Sequence, residues 1–244
     1  MSTRATLATA RRVLGQLHHD RRTLALLLVV PCLLMALLAW VFDGTPTFDR
    51  IGAPLLGIFP FVVMFLVTSV ATLRERTSGT LERLLTMPIA KLDFLLGYAL
   101  AFGLLAVVQA VLASGLALTV LGLDIAGPAW LLVLVALLDA LLGMALGLLV
   151  SAFAQTEFQA VQFLPAVVLP QFLLCGLLVP RESLNDVLRW VSDILPLSYA
   201  VDAMRHVSTT STLDGGLVGD LTIVAVGIVL ALGLGAATLR RQSP

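Results

Sequence analysis

The sequence predicts an all-α, polytopic membrane protein with six transmembrane helices, on three observations. Of 244 residues, 59% are hydrophobic and only 12% charged, at a mean hydropathy of +1.02; soluble domains carry roughly 25% charged residues. The apolar residues gather into blocks long enough to cross a bilayer, which takes about 20 residues as helix. The connections between blocks alternate between arginine-rich and arginine-poor. Net charge is zero, so nothing in the composition points to nucleic acid. The simplest domain count is one transmembrane domain over residues 1–244.

Taken in order, residues 1–23 form a basic interfacial helix. Leu7, Ala10, Leu14 and Leu17 share one face at helical spacing, with Arg11 and His18 near its edge. A basic collar that only anchors the first span is the other reading. Spans one and two occupy 24–73 (roughly 24–42 and 54–73). A charged segment, 74–91, follows. Spans three to five fill 92–179, at roughly 92–121, 129–153 and 158–179. The third is longer than a bilayer needs, which predicts tilt or protrusion. Residues 180–217 predict two short helices in a hairpin. Ser183 with Asp186 resembles a capping box. Leu184, Val187, Leu188, Val191 and Leu195 then repeat at helical spacing until Pro196, and a second helix starts near Ser198 with Tyr199, Ala203 and Met204 apolar. Span six and a tail complete 218–244. Nothing at the start reads as a cleavable signal, so the first span is expected to act as an uncleaved insertion signal.

Charge chooses the orientation. With both termini cytoplasmic, the inner segments hold Arg4, Arg11, Arg12, Arg21, Arg22, Arg74, Arg76, Arg83, Lys91, Arg240 and Arg241, most of the 15 Lys and Arg. The outer segments hold Arg50, Arg181, Arg189 and Arg205. This follows the positive-inside rule, and it also puts Trp40, Trp130 and Trp190 at the outer interface, as an aromatic belt requires. Cys32 and Cys175 lie in apolar runs at different expected depths, which argues against a disulfide.

Several chemistries find no motif. There is no G-x-x-x-x-G-K-[ST] loop, and Lys91 is the only lysine. H-E-x-x-H, G-x-S-x-G and paired-aspartate metal motifs are also missing. His18 and His19 fall inside and His206 outside, so no histidine metal cluster is expected. The inner segment, RERTSGTLERLLTMPI, carries the most information. Thr77 or Ser78 can cap a helix, Leu81, Leu84 and Leu85 form one apolar face, Glu82 and Arg83 project elsewhere, and Pro88 ends the run. Such a helix suits a groove on another protein or the lipid interface, and the residues alone favour neither.

That segment resembles the signature of the integral-membrane subunits of type-2 ATP-binding-cassette exporters, the daunorubicin-type drug export permeases. Glu75, Gly79, Thr80, Leu81, Glu82, Leu84, Leu85 and Pro88 stand where the family's pattern expects them. A second stretch, Pro196-Leu-Ser-Tyr-Ala-Val-Asp-Ala-Met-Arg205, is similar to the family's outer segment before the last span. The resemblance covers nearly the whole chain. It implies a coupling helix near 77–87, with Arg83 among its residues, driven by a separate cytoplasmic ATPase that carries the ATP and Mg; no cofactor is implied for this chain. It also implies two permease copies, identical or paralogous, in a bacterial-type inner membrane.

Polar residues at depth complete the candidate set. Asp139 lies near mid-bilayer, where a charge costs roughly 2.5–3.5 kcal/mol on insertion scales. It shares a face with Gly143 and Gly147, a stripe suited to close helix packing. It is expected to face another helix, protonated or hydrogen-bonded; a proton or cation relay and a role in helix motion are the other readings. Gln155, Gln159 and Gln162 form a stripe in the inner half of span five, interrupted by Pro165 and Pro170 and followed by Gln171. A kinked helix with such a stripe suits a cavity wall, a subunit interface or ordinary interhelical hydrogen bonding; in the resembled family this span lies near the dimer axis.

The expectation is a permease subunit without its own ATPase site, moving an amphiphilic or apolar, drug-like or lipid-like substrate outward by alternating access. The rivals are an ion-coupled secondary transporter using Asp139, and a non-transporting scaffold that recruits a cytosolic partner.

Overall fold

The computed structural model describes residues 3–77 and 91–238. Their regular structure is all helix, with no strand among them. The amphipathic α1 (Thr3–His19) leads into α2 (Arg21–Val41), and α3 (Thr47–Thr77) follows a short turn. Next come α4 (Lys91–Thr119) and α5 (Ala129–Ser151). The fifth apolar segment is broken into α6 (Glu157–Phe163), a π-helical turn (Leu164–Val168) and α7 (Leu169–Leu174). Two short helices, α8 (Asp186–Ile194) and α9 (Pro196–Thr209), precede α10 (Gly215–Thr238). Six of these segments are long and apolar enough to cross a membrane; this is a multi-pass membrane protein.

Burial is uneven. In the most apolar stretch, 67% of α3 and 61% of α5 is buried, but only 17% of α2, of the fifth segment and of α10. Helix α5 is the hub, packed against α3, α4, α6, α9 and α10. Lipid tails are as apolar as leucine, so close packing and hydrogen bonds must hold such a bundle. Gly143 and Gly147 supply the first: a Cβ at either would run into the backbone of Phe61 or Phe65 on α3. Thr68 supplies the second, its hydroxyl bonding Met64 O at 2.6 Å and lying 3.3 Å from Met144 O across the crossing. Gln109 of α4 likewise donates to Leu27 O of α2 at 2.8 Å.

Four expectations need correction. The buried face of α1 is Thr9, Ala10, Val13 and Leu17, while Leu7 is 62% exposed. The reason is docking: α1 packs on α4, where a Cβ on Gly97 would stand 2.5 Å from Thr9 Cβ. The helix α8 is capped by Asn185, which accepts from Leu188 N, and Ser183 sits in a preceding 3₁₀ turn. Pro196 opens α9 instead of only stopping α8, because proline fits a first helical turn that needs no donor. The third span is longer than a bilayer needs, as expected: α4 runs 29 residues, and α3, with 31, is longer still because its polar ends stay helical beyond the apolar run. The fifth helix also ends at Leu174, short of 179.

The three tryptophans gather at one end of the bundle, all exposed: Trp40 near the end of α2, Trp130 at the start of α5 and Trp190 on α8. We call that end distal, and the end where α2 begins and α3 finishes proximal. At the distal end, Gly127 N bonds Val207 O at 2.9 Å. The helix α9 sinks its Leu197, Val201, Ala203, Met204 and Val207 fully into the core. Cys32 is half-buried, Cys175 is buried, and both are free.

Candidate coupling and transport site

Three consecutive side chains at the end of α3 reach three different helices. Successive residues on an α-helix point about 100° apart, so one turn can address several neighbours. Arg74 bonds Glu157 at the start of α6 through Nε (2.8 Å) and Nη2 (3.0 Å). Glu75 pairs with Arg12 at 2.9 Å and accepts from Gln16 at 2.8 Å, both on α1. Arg76 donates to the carbonyl of Ser151, the last residue of α5. These pairs differ in weight. Arg74–Glu157 is more than half exposed, and such pairs contribute little. The Glu75 side chain is only 14% exposed, and Arg12 also reaches the hydroxyl of buried Tyr98 at 3.2 Å. The carboxylate and the phenol outweigh the opposing effect of burial and keep the Arg12 guanidinium above its ordinary range.

Sequence reasoning named Glu75 but missed Arg12, Gln16 and Glu157. A polar stripe on α1 opposite its apolar face, and a lone acid opening an apolar segment, were the available signals. Gly79, Thr80, Leu81, Glu82, Arg83, Leu84 and Leu85 lie outside the described residues. The Thr77 hydroxyl donates to Leu73 O at 3.1 Å within α3; the helix that Thr77 or Ser78 is expected to cap lies outside the described residues.

The polar residues at depth do not form one site. Asp139 is fully buried on α5, and neither carboxyl oxygen has a hydrogen-bond partner among the described residues. It faces Gly57 of α3: a Cβ there would collide with Oδ2 and stand 3.2 Å from Met204 Cε of α9. The expectation that Asp139 faces a neighbouring helix holds in this geometry. The glutamine stripe does not survive intact. Gln155 sits in the turn before α6, its N–H bonded to Gln159 Oε1 at 2.8 Å. Gln159 and Gln162 are exposed on the outer side of the bundle. Gln171 is buried, donating to Val167 O at 3.1 Å, and its own carbonyl has no partner among the described residues. Pro165 sits in the π turn, as expected where a missing N–H and a ring clash disturb the i→i−4 register.

The distal hairpin is held by Arg181, which bonds Asp193 and Asp202 and lies 4.9 Å over the Tyr199 ring. Arg205 donates to Gly176 O at 2.7 Å, and Ser192 to Leu174 O at 2.8 Å. Burial pushes the Asp202 carboxyl up, against the pull of Arg181.

A helical bundle built on one buried helix pair, with charged side chains fanned from one proximal helix end, is the architecture of a multi-pass membrane protein. The chain belongs to the ABC-2 type transporter family, whose model matches residues 4–208. Among curated relatives, it is 29% identical over 159 residues to ABC transporter G family member 20 of Dictyostelium discoideum, covering 65% of this chain and 22% of that protein. It is 27% identical over 174 residues to the probable multidrug ABC transporter permease YbhS of Escherichia coli, covering 71% and 46%. It is 29% identical over 151 residues to the inner membrane transport permease YhhJ of Escherichia coli, covering 60% and 39%. The chain thus spans less than half the length of these relatives.

Proposed function

We propose that this chain is the membrane permease of an ATP-driven exporter and takes its motion from a separate cytoplasmic ABC ATPase, in a bacterial-type inner membrane with both termini cytoplasmic. The observation that carries this reading is the fan at the end of α3. A segment joined to Arg74, Glu75 and Arg76 can pull on α6, α1 and α5 at once. Residues 77–87 are then the coupling helix, with Glu82 and its leucine neighbours in contact with the ATPase. ATP binding draws two ATPases together, the fan transmits the shift, and two permease copies alternate between inward-open and outward-open forms. The exposed fifth segment, with Gln159 and Gln162, faces the second copy or the pathway, and the Arg181-pinned hairpin closes the distal side. The substrate class that fits is amphiphilic or apolar.

The test is reconstitution with and without the ATPase partner. Export into liposomes that needs both ATP and the partner is the expected result. Flux driven by an ion gradient through this chain alone would overturn the reading in favour of a secondary transporter, and partner binding without flux would leave a scaffold. Reversing the charge with Glu82→Lys should leave insertion intact and uncouple ATP hydrolysis from export; normal transport by that variant would remove the coupling role from residues 77–87.

A further inference from the structure

A cavity of about 710 Å³ opens at the proximal end between α1, α2, α3, α4 and α6. Its walls are apolar: Leu66, Val67 and Val70 of α3, Phe102 of α4, and Phe158 and Val161 of α6. Along α3 it runs from Leu66 to Glu75, about 13 Å at 1.5 Å per residue. Leu26 is 57% exposed and Phe158 72% exposed, so the slot between α2 and α6 is open sideways, toward lipid. The volume lies in the range that encloses a drug-sized ligand.

The mouth is charged, and unequally. Among the described residues that line it, Asp20, Glu75 and Glu157 stand against one cation, Arg74. Glu75 is matched by Arg12 and Glu157 by Arg74. Asp20 caps α2 through Thr23 N (3.1 Å) and Thr23 Oγ1 (2.6 Å), and no ion pair matches it among the described residues. Those two hydrogen bonds hold its carboxyl below the ordinary range, so the charge persists at neutral pH. Arg21 and Arg22 are exposed and are not part of the lining.

We propose that this cavity is a binding site for an amphiphile with a positively charged head, taken sideways from the proximal leaflet: the head sits at Asp20 and Glu157, and the apolar body lies between Phe102, Phe158 and Val70. The inference rests on the transport reading and narrows its substrate class. It also assigns Arg74–Glu157 a second task. The pair spans the mouth, so a cation that recruits Glu157 loosens the tie between α6 and the end of α3. Occupancy is thereby signalled to the segment that begins at residue 78.

The test uses two ions of the same shape and opposite sign, tetraphenylphosphonium and tetraphenylborate. Their binding to the purified full chain in phosphatidylcholine nanodiscs is measured by equilibrium dialysis against empty nanodiscs. Chain-dependent binding of the cation, at least tenfold tighter than that of the anion, is expected. Asp20→Asn keeps the helix cap, because asparagine caps as well as aspartate, and should weaken cation binding roughly fivefold, the ratio a partly screened contact gives. Val70→Trp fills the cavity and should abolish binding with Asp20 intact. Chain-dependent affinity for the anion equal to or above that for the cation would mark an ordinary lipid-filled slot, whose dipole potential favours the anion, and overturn the proposal, as would no binding above empty nanodiscs or unchanged binding in Asp20→Asn. ATP-driven export of a neutral amphiphile is measured separately with the ATPase partner. Export without cation binding removes this site and spares the transport reading; cation binding without export does the reverse.

Discussion

Helices α5 and α10 are written in nearly the same alphabet, leucine, alanine, valine and glycine, yet one is the centre of the molecule and the other rides on its edge. The difference lies in where the glycines fall. Gly143 and Gly147 are one turn apart and a Cβ at either would overlap the backbone of α3, whereas on α10 nothing stands within 4 Å of the Cβ position of Gly219 or Gly233, and Gly227 and Gly235 meet their neighbours only at 3.1 Å and beyond. Helices in lipid gain nothing from burying leucine against leucine. The pair that packs is the pair whose small residues coincide in space and whose hydroxyl, Thr68, finds a carbonyl across the gap. The fifth segment lies at the other extreme, broken at a π turn with its glutamines on the outside. A face left open in this way is available to a second copy, a substrate or lipid.

The sharpest way to break the contrast is a large residue at the α3–α5 crossing. Gly143→Leu should destabilise by about 3 kcal/mol or more, since the obstacle is backbone and overpacking cannot be relieved by a rotamer. Thermal unfolding in detergent measures this, and Gly233→Leu in the same assay should stay within about 0.5 kcal/mol of the parent. If the two variants behaved alike, packing geometry would not explain the uneven burial.

The next effect is Gly57→Ala, expected to cost about 1–3 kcal/mol because its methyl would overlap the Asp139 carboxyl. The double variant Gly57→Ala with Asp139→Ala should recover part of that loss; no recovery would mean the clash is not with Asp139. Arg12→Ala comes third. It removes the partner of a largely buried Glu75 carboxylate and should cost about 1–2 kcal/mol. Because α1 would come loose from the end of α3, ATP-driven export should also fall more than expression does. The smallest change is Arg74→Gln, within about 0.5 kcal/mol in stability because the pair with Glu157 is exposed. A large stability loss there would contradict the ranking of the three links in the fan.

Asp139→Asn separates structure from chemistry. It removes the charge and keeps size and hydrogen-bonding capacity, so the packing reading expects export within about twofold of the parent, less than the factor a lost proton relay gives. Abolished export with normal expression would turn Asp139 into a relay.

Composition and the length of apolar runs determined six membrane-crossing helices, because the bilayer imposes a thickness that any spanning helix must match. The motif from Arg74 to Ile89 and the stretch from Pro196 to Arg205 determined the family, because residue identities alone carry that likeness. Which helices form the core was not legible: α2, α5 and α10 read as equally apolar, and only their mutual approach selects Gly143, Gly147 and Thr68. The turn of α1 that packs, the cap at Asn185 and the displacement of Gln155 into a turn were likewise decided by neighbours and local hydrogen bonds. So were the fan from Arg74, Glu75 and Arg76 and the cavity beside it. The fan alone joins residues up to 83 positions apart, and periodicity along a chain carries no information about partners at that separation.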